Sequence, residues 1–302
     1  MKTSVFLAFL TFSLSVAAQS QQYVIVLGVA QDGGFPHPGC QKQCCRSAWE
    51  RDSLKRNVVS LALVDETQKK WWLFEATPDI TQQLQLFRTT TNGRFNYLPD
   101  GVFITHAHIG HYTGLMYLGR EALAAKEMPV YVLPRFSEYL KTNGPWSQLV
   151  ALRNIQLTVT QDNTEMKLSE TVSVKPFAVP HRDEYSETAG FRIATAGKKY
   201  LFIPDIDKWS KWSRNIVDEV KQVDIAFLDA TFYQQNELPG RNMAEVPHPF
   251  VVETIGLFGD SLDKRKIFFI HFNHSNPLLW NPQSQQQLSK LGFGLALQGQ
   301  RY

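Results

Sequence analysis

Val102-Phe103-Ile104-Thr105-His106-Ala107-His108-Ile109-Gly110-His111-Tyr112-Thr113-Gly114-Leu115 decides how the rest of the chain reads. Three of its eight histidines fall within six positions. An apolar run, Val102-Phe103-Ile104, precedes them behind Pro99-Asp100-Gly101, and an amphipathic stretch from Thr113 to Lys126 follows. The pattern predicts strand, tight loop and helix. The strand end fixes the first two histidines, and the loop turns the third back toward them. Imidazole is the commonest protein ligand for zinc and related metals, so the expectation is a metal site.

The 302 residues, 43% hydrophobic and 20% charged, suit a large α/β domain. Residues 1–18 stand apart. Lys2 gives a positive end, Val5 to Val16 an apolar core, and Val16-Ala17-Ala18 a small-residue cleavage site, which is the pattern of a secretory signal peptide. The expectation is a secreted or periplasmic protein whose domain runs over 23–302, with no transmembrane segment in the mature chain. Setting aside Lys2, the only charged residue of that segment, takes the formal net charge from +3 to +2. A balance so near neutral gives no indication of nucleic acid as a partner. The expected partner is a small-molecule substrate.

Tyr23-Val24-Ile25-Val26-Leu27-Gly28 reads as a first buried strand, followed by a glycine-rich turn, Gln31-Asp32-Gly33-Gly34-Phe35-Pro36, weak evidence by itself. All three cysteines then fall in six positions: Cys40, Cys44 and Cys45. Three thiols this close cannot all pair within one chain. The alternatives are a disulfide with an odd thiol, three free thiols, or a structural zinc that needs one more ligand.

Val58–Val64 and Lys70–Glu75 predict a hairpin turning at Asp65-Glu66-Thr67-Gln68. Thr77 as N-cap and Pro78 as first residue open a helix with Leu84 and Phe87 inward. Further strands end in residues of ligand type: His181 after Val179-Pro180, Asp205 after Ile203-Pro204, Asp229 after Phe227-Leu228, and His271 after Phe269-Ile270. Open α/β sheets collect their sites at such strand ends. His106, His108, His111, His181, Asp205 and His271 thus form one candidate metal set.

His106, His108 and His111 resemble the H-x-H-x-D-H signature of the metallo-β-lactamase superfamily, with Gly110 where the family has aspartate. The resemblance covers nearly all of the mature chain and implies a four-layer αββα sandwich in one domain. His181, Asp205 and His271 match the family's later ligands in order and context. Two branches look most similar. One is the coenzyme PQQ biosynthesis protein B branch, through Gly33-Gly34-Phe35-Pro36, Asp229-Ala230-Thr231-Phe232 and Ile270-His271-Phe272-Asn273. The other is the PhnP phosphodiesterase branch, whose structural zinc implies a set of Cys40, Cys44, Cys45 and His274 here. Gly110 implies that the second catalytic metal lacks one protein ligand, so the histidine site holds two zinc ions with water in place of the carboxylate, or one zinc on His106, His108 and His181.

The resemblance implies a hydrolase. Zinc lowers the pKa of its bound water toward ~7 and supplies hydroxide against an ester or phosphodiester-type bond. Iron or manganese can replace zinc on such donors. Asp205 is expected to orient the water and His248, in Val246-Pro247-His248-Pro249, to protonate the leaving group. Asp229 and Asp183 are expected partners of the histidines. The alternatives are a PQQ-branch role in quinone cofactor maturation or carriage, and a non-catalytic ligand-binding member of the fold.

Overall fold

Strand β1 (Gln22–Gly28) shows how the layers arise. Side chains alternate across a strand. Val24 and Val26 enter one buried cluster with Leu61, Leu63, Trp72 and Phe74. Tyr23, Ile25 and Leu27 enter a second, with Ile80, Leu84 and Phe87 from the helix Ile80–Thr90 and with Phe136 and Leu140 from the helix Pro134–Thr142. One face of the sheet is therefore a sandwich core and the other lies under helices. The computed structural model describes residues 21–238, 240 and 242–302. The expected signal segment, residues 1–18, lies outside them.

The first sheet continues through β2 (Ser60–Asp65), β3 (Lys70–Phe74), β4 (Gly101–Phe103), β5 (Met128–Val132) and β6 (Ile155–Val159), in that spatial order. The β2–β3 hairpin pairs Leu61 with Phe74 and Asp65 with Lys70, and β3 to β6 run parallel. The second sheet comprises β7 (Met166–Lys167), β8 (Ser173–Val179), β9 (Thr188–Ala194), β10 (Lys199–Ile203), β11 (Ile225–Asp229), β12 (Ile267–Ile270) and β13 (Gly294–Leu295), ordered from β13 to β7. Strands β10 to β13 are parallel. The helices Ile216–Lys221 and Val251–Phe258 contribute Ile216, Val220, Val251 and Phe258 to the core on that side. This is the four-layer αββα sandwich.

Aromatic side chains join the two sheets. Phe74 on β3 meets Phe191 on β9 and Phe202 on β10 edge-on, at ring-centroid distances of 5.3 and 6.1 Å, and stacks on Phe103 at 4.9 Å. Edge-to-face pairs in this range stabilise beyond their area burial.

Two local expectations are corrected. The stretch from Thr113 to Lys126 is not one helix. A single α-turn, Ile109–Tyr112, passes into a 3₁₀ segment, Thr113–Leu118, and then into turns. Gly114 explains the break: its N–H donates to Ala76 O, and a Cβ there would lie 2.1 Å from Thr77 O, so backbone packs on backbone. The helix predicted to open at Thr77-Pro78 begins at Ile80, with Asp79 at the cap position. Thr77 Oγ1 accepts from Asp79 N, while the Asp79 carboxylate accepts from Val58 N at 2.8 Å.

Candidate metal centre

The strand ends of both sheets converge. His106 and His108 follow β4, His181 follows β8, Asp205 follows β10, Asp229 ends β11 and His271 follows β12. His271 adopts φ +66°, a left-handed backbone that is rare without glycine and is held here by its surroundings. All except His108 have buried side chains (His181 beneath a partly exposed backbone), and His108 stands at the rim with Glu184 Oε2 3.1 Å from its Nε2.

Three donor sets overlap among the described residues, one of them Asp205, Asp229, His248 and His271, whose ligand atoms lie within 4.8 Å of one another. His106, His108, His181 and Asp205 form a second on the same criterion, and Asp32, His111 and His271 a third. Asp205 lies between these last two. Its Oδ1 is 3.3 Å from His181 Nε2, and its Oδ2 is 3.4 Å from His106 Nε2, 3.6 Å from His111 Nε2 and 4.0 Å from His271 Nε2. Among the described residues, His111 Nε2, His271 Nε2, both nitrogens of His181, Asp32 Oδ1 and Asp205 Oδ1 are buried without a hydrogen-bond partner. Orphaned buried polar atoms are costly, and this many lone pairs facing one space fit a bound cation.

The surroundings set the imidazoles for that task. Burial pushes His106 well below the ordinary histidine range, and neighbouring imidazoles reinforce it. The same causes lower His181, and burial lowers His271 to about 3 despite Asp229. Neutral imidazole is the ligating form. The tautomer of His271 follows from a hydroxyl. Thr231 Oγ1 donates to Asp229 Oδ1 at 2.7 Å, so it accepts from His271 Nδ1 at 2.8 Å and leaves His271 Nε2 free. Thr105 Oγ1 lies 2.9 Å from His106 Nδ1, and His106 Nε2 lies 2.7 Å from His108 Nδ1. Asp205 is pushed up to about 8, by burial first and by Asp229, with His248 opposing. A carboxylate so disfavoured calls for a positive neighbour.

His248 is buried within this group. Its Nδ1 lies 2.9 Å from Asp229 Oδ2 and 3.2 Å from Asp205 Oδ1. Asp229, expected as a partner of the histidines, takes that place, with Ile206 N and Thr231 N also donating to it. Asp183 does not: its carboxylate accepts from Thr188 Oγ1.

Two residues that sequence reasoning missed complete the setting. Glu75, fully buried at the end of β3 with φ +72°, places Oε2 3.5 Å from His111 Nδ1 and accepts from Thr105 N. Burial depresses His111, but Glu75 and Asp32 outweigh it and hold His111 well above its ordinary range. Asp32, from the glycine-rich turn, fills the space beside Gly110 and brings its Oδ1 3.4 Å from His111 Nε2. Its signal was an acidic residue in a turn just past a buried strand end.

The cysteines gather at a separate place. Cys40 Sγ and Cys44 Sγ are 3.8 Å apart, and Cys44 Sγ and Cys45 Sγ 3.9 Å, so the three thiols form a compact unbridged group. His274 stands outside that group, its ring 4.4 Å from that of His37.

A sandwich of two sheets with outer helices and a His/Asp cluster at its strand ends defines the metallo-β-lactamase class of fold. The chain belongs to the beta-lactamase superfamily: the family's Beta-lactamase superfamily domain matches residues 70–272. It is similar to coenzyme PQQ synthesis protein B of Rhizobium meliloti, 23% identical over 91% of this chain and 96% of the relative, and to that of Gluconobacter oxydans, 26% identical over 92% and 97%. Among solved structures it resembles Zn(2+)-bound PqqB from Methylobacterium extorquens, with TM-score 0.76, 21% identity and coverage of 93% and 99%. It also resembles a diphosphatase from the PhnP family, with TM-score 0.65, 20% identity and coverage of 93% and 96%.

Proposed function

We propose that the chain is an exported, zinc-dependent hydrolase acting on an ester or phosphodiester-type bond of a small molecule. The observation that carries this reading is the pair of adjacent donor sets with Asp205 lying between them, and His248 buried beside them. His106, His108, His181 and Asp205 would hold one ion, and His111 and His271, with Asp205 shared, a second. A bound divalent metal supplies Lewis acidity and an activated water at neutral pH.

The residues do the rest. Asp205 reaches both sets and orients the attacking water. Asp229 fixes the His248 ring through Nδ1, which leaves Nε2 to hand a proton to the leaving group. Phe232, Met243, Val246 and Phe250 form a buried apolar cluster on the chain around His248, with Phe232 6.0 Å from its ring. Cys40, Cys44, Cys45 and His274 would hold a structural zinc. The export reading rests on the pattern of residues 1–18 and is checked by the mass of the mature N-terminus.

The test is turnover of bis(p-nitrophenyl) phosphate and p-nitrophenyl acetate by zinc-, iron- and manganese-loaded protein. His181→Ala should abolish it. Turnover that persists in His181→Ala contradicts the reading.

A second reading, quinone cofactor maturation or carriage, is favoured by the near-complete overlap with the PQQ synthesis proteins B. It requires that PQQ or a quinone precursor bind the metal-loaded protein, measured by tryptophan fluorescence. The third, a non-catalytic ligand-binding member, requires that metal-loaded protein turn over neither p-nitrophenyl substrate.

A further inference from the structure

We infer that Asp32 is a metal ligand supplied from the loop after β1, standing in for the aspartate absent at position 110, so that the second site is held by Asp32, His111, His271 and the shared Asp205. This deepens the proposed function and rests on its reading of the cluster as a metal centre.

A Cβ built on Gly110 would lie 2.1 Å from Asp32 Oδ1, 2.6 Å from Asp32 Cα and 2.9 Å from Asp32 Cγ. No side chain fits at 110 while the loop carrying Asp32 runs where it does. Glycine there is the condition for the carboxylate of another element to enter. Having entered, Asp32 Oδ1 lies 3.4 Å from His111 Nε2, and both atoms are buried without a hydrogen-bond partner among the described residues, as is His271 Nε2. The three form a group with ligand atoms within 4.8 Å.

The loop is built to hold this position. Val29 N and Ala30 N both donate to Asn57 O, Val59 N donates to Ala30 O, Gln31 N donates to Phe272 O, and Phe272 N donates to Val29 O. The backbone leading to Asp32 is thus tied on one side to the chain entering β2 and on the other to the residue after His271. Ligands held by a fixed backbone are preorganised for the ion. Asp32 and His271 are held in mutual register by the Gln31–Phe272 bond, and His111 is tied to the β3 end because Ala76 N donates to His111 O.

The test compares metal equivalents per chain, by inductively coupled plasma mass spectrometry after dialysis, in wild type, Asp32→Asn, Gly110→Ala and His181→Ala, with zinc and with cobalt. Asp32→Asn keeps the shape and removes the charge. It should lose one equivalent, or bind the last equivalent at least tenfold more weakly, and the cobalt-substituted form should lose the spectroscopic coupling between paired ions. Gly110→Ala keeps Asp32 but displaces it, and should lose the same equivalent. Circular dichroism shows whether each variant is folded. If Asp32→Asn retains the wild-type equivalents at unchanged affinity while His181→Ala loses metal, the cluster binds metal without Asp32 and this inference is overturned alone. If wild type and His181→Ala hold the same metal, the cluster is not a metal centre and the proposed function falls with it.

Discussion

Asp229 holds His248 by a contact of 2.9 Å between Oδ2 and Nδ1, at a point where Thr231 and the backbone of Ile206 also bond to the same carboxylate. Burial would pull His248 down, but Asp229 and Asp205 more than offset it, and the ring sits above its ordinary value. As a proton donor it works when protonated, so turnover should fall as pH rises through its raised value. Asp229→Asn removes the larger raising charge and should move that basic limb to lower pH. His248→Gln should lower kcat by about 10²–10⁴ with metal content unchanged. Equal kcat in wild type and His248→Gln would remove His248 from the chemistry.

Glu75 and Asp32 flank His111, and the ring is held well above its ordinary range against the pull of burial. For a histidine raised in the folded state, the stabilisation is fully present below about pH 6.5 and is lost as pH rises through the folded value. Metal-free protein should therefore lose stability on the alkaline side, and Glu75→Gln should flatten that part of the profile in urea unfolding. Because metal binding displaces the proton from His111, Glu75→Gln should also shift the pH dependence of metal uptake to lower pH. An unchanged uptake profile would show that Glu75 does not govern His111.

Much of this arrangement was legible in the chain because ligand-type residues stand just past apolar runs, and an apolar run bounded by turn residues reads as a buried strand. His106, His108, His181, Asp205 and His271 were found that way. Asp32 was not, because a Gly-Gly turn has many uses and its contact with Gly110 exists only after β1 and the histidine loop are brought together. Glu75 was hidden for a different reason: it stands just past β3 with φ +72°, and its carboxylate meets His111 only once β3 and the histidine loop are brought together. The helix expected over 113–126 was over-read, since amphipathic spacing does not show that Gly114 is clamped against the backbone of Ala76 and Thr77.

Phe74 bears on both sheets and is fully buried. Phe74→Ala should cost about 3–5 kcal/mol in denaturant unfolding, because it opens a cavity at the sandwich centre. A loss under ~1 kcal/mol would mean that Phe191 and Phe202 collapse into the space.

Burial first, and then the neighbouring thiols, push Cys45 up to about 12, so its thiol keeps its proton until an ion displaces it. Cys45→Ser should lose one metal equivalent and lower the melting temperature, while the turnover of the remaining folded protein stays near wild type. A loss of turnover without a loss of metal would contradict a structural site.

The most direct measurement is anomalous diffraction at the zinc edge from crystals of zinc-loaded protein. One peak is expected within coordination distance of His106, His108, His181 and Asp205, and a second within reach of Asp32, His111, His271 and Asp205. No peak at either position would contradict the metal centre and the hydrolase built on it.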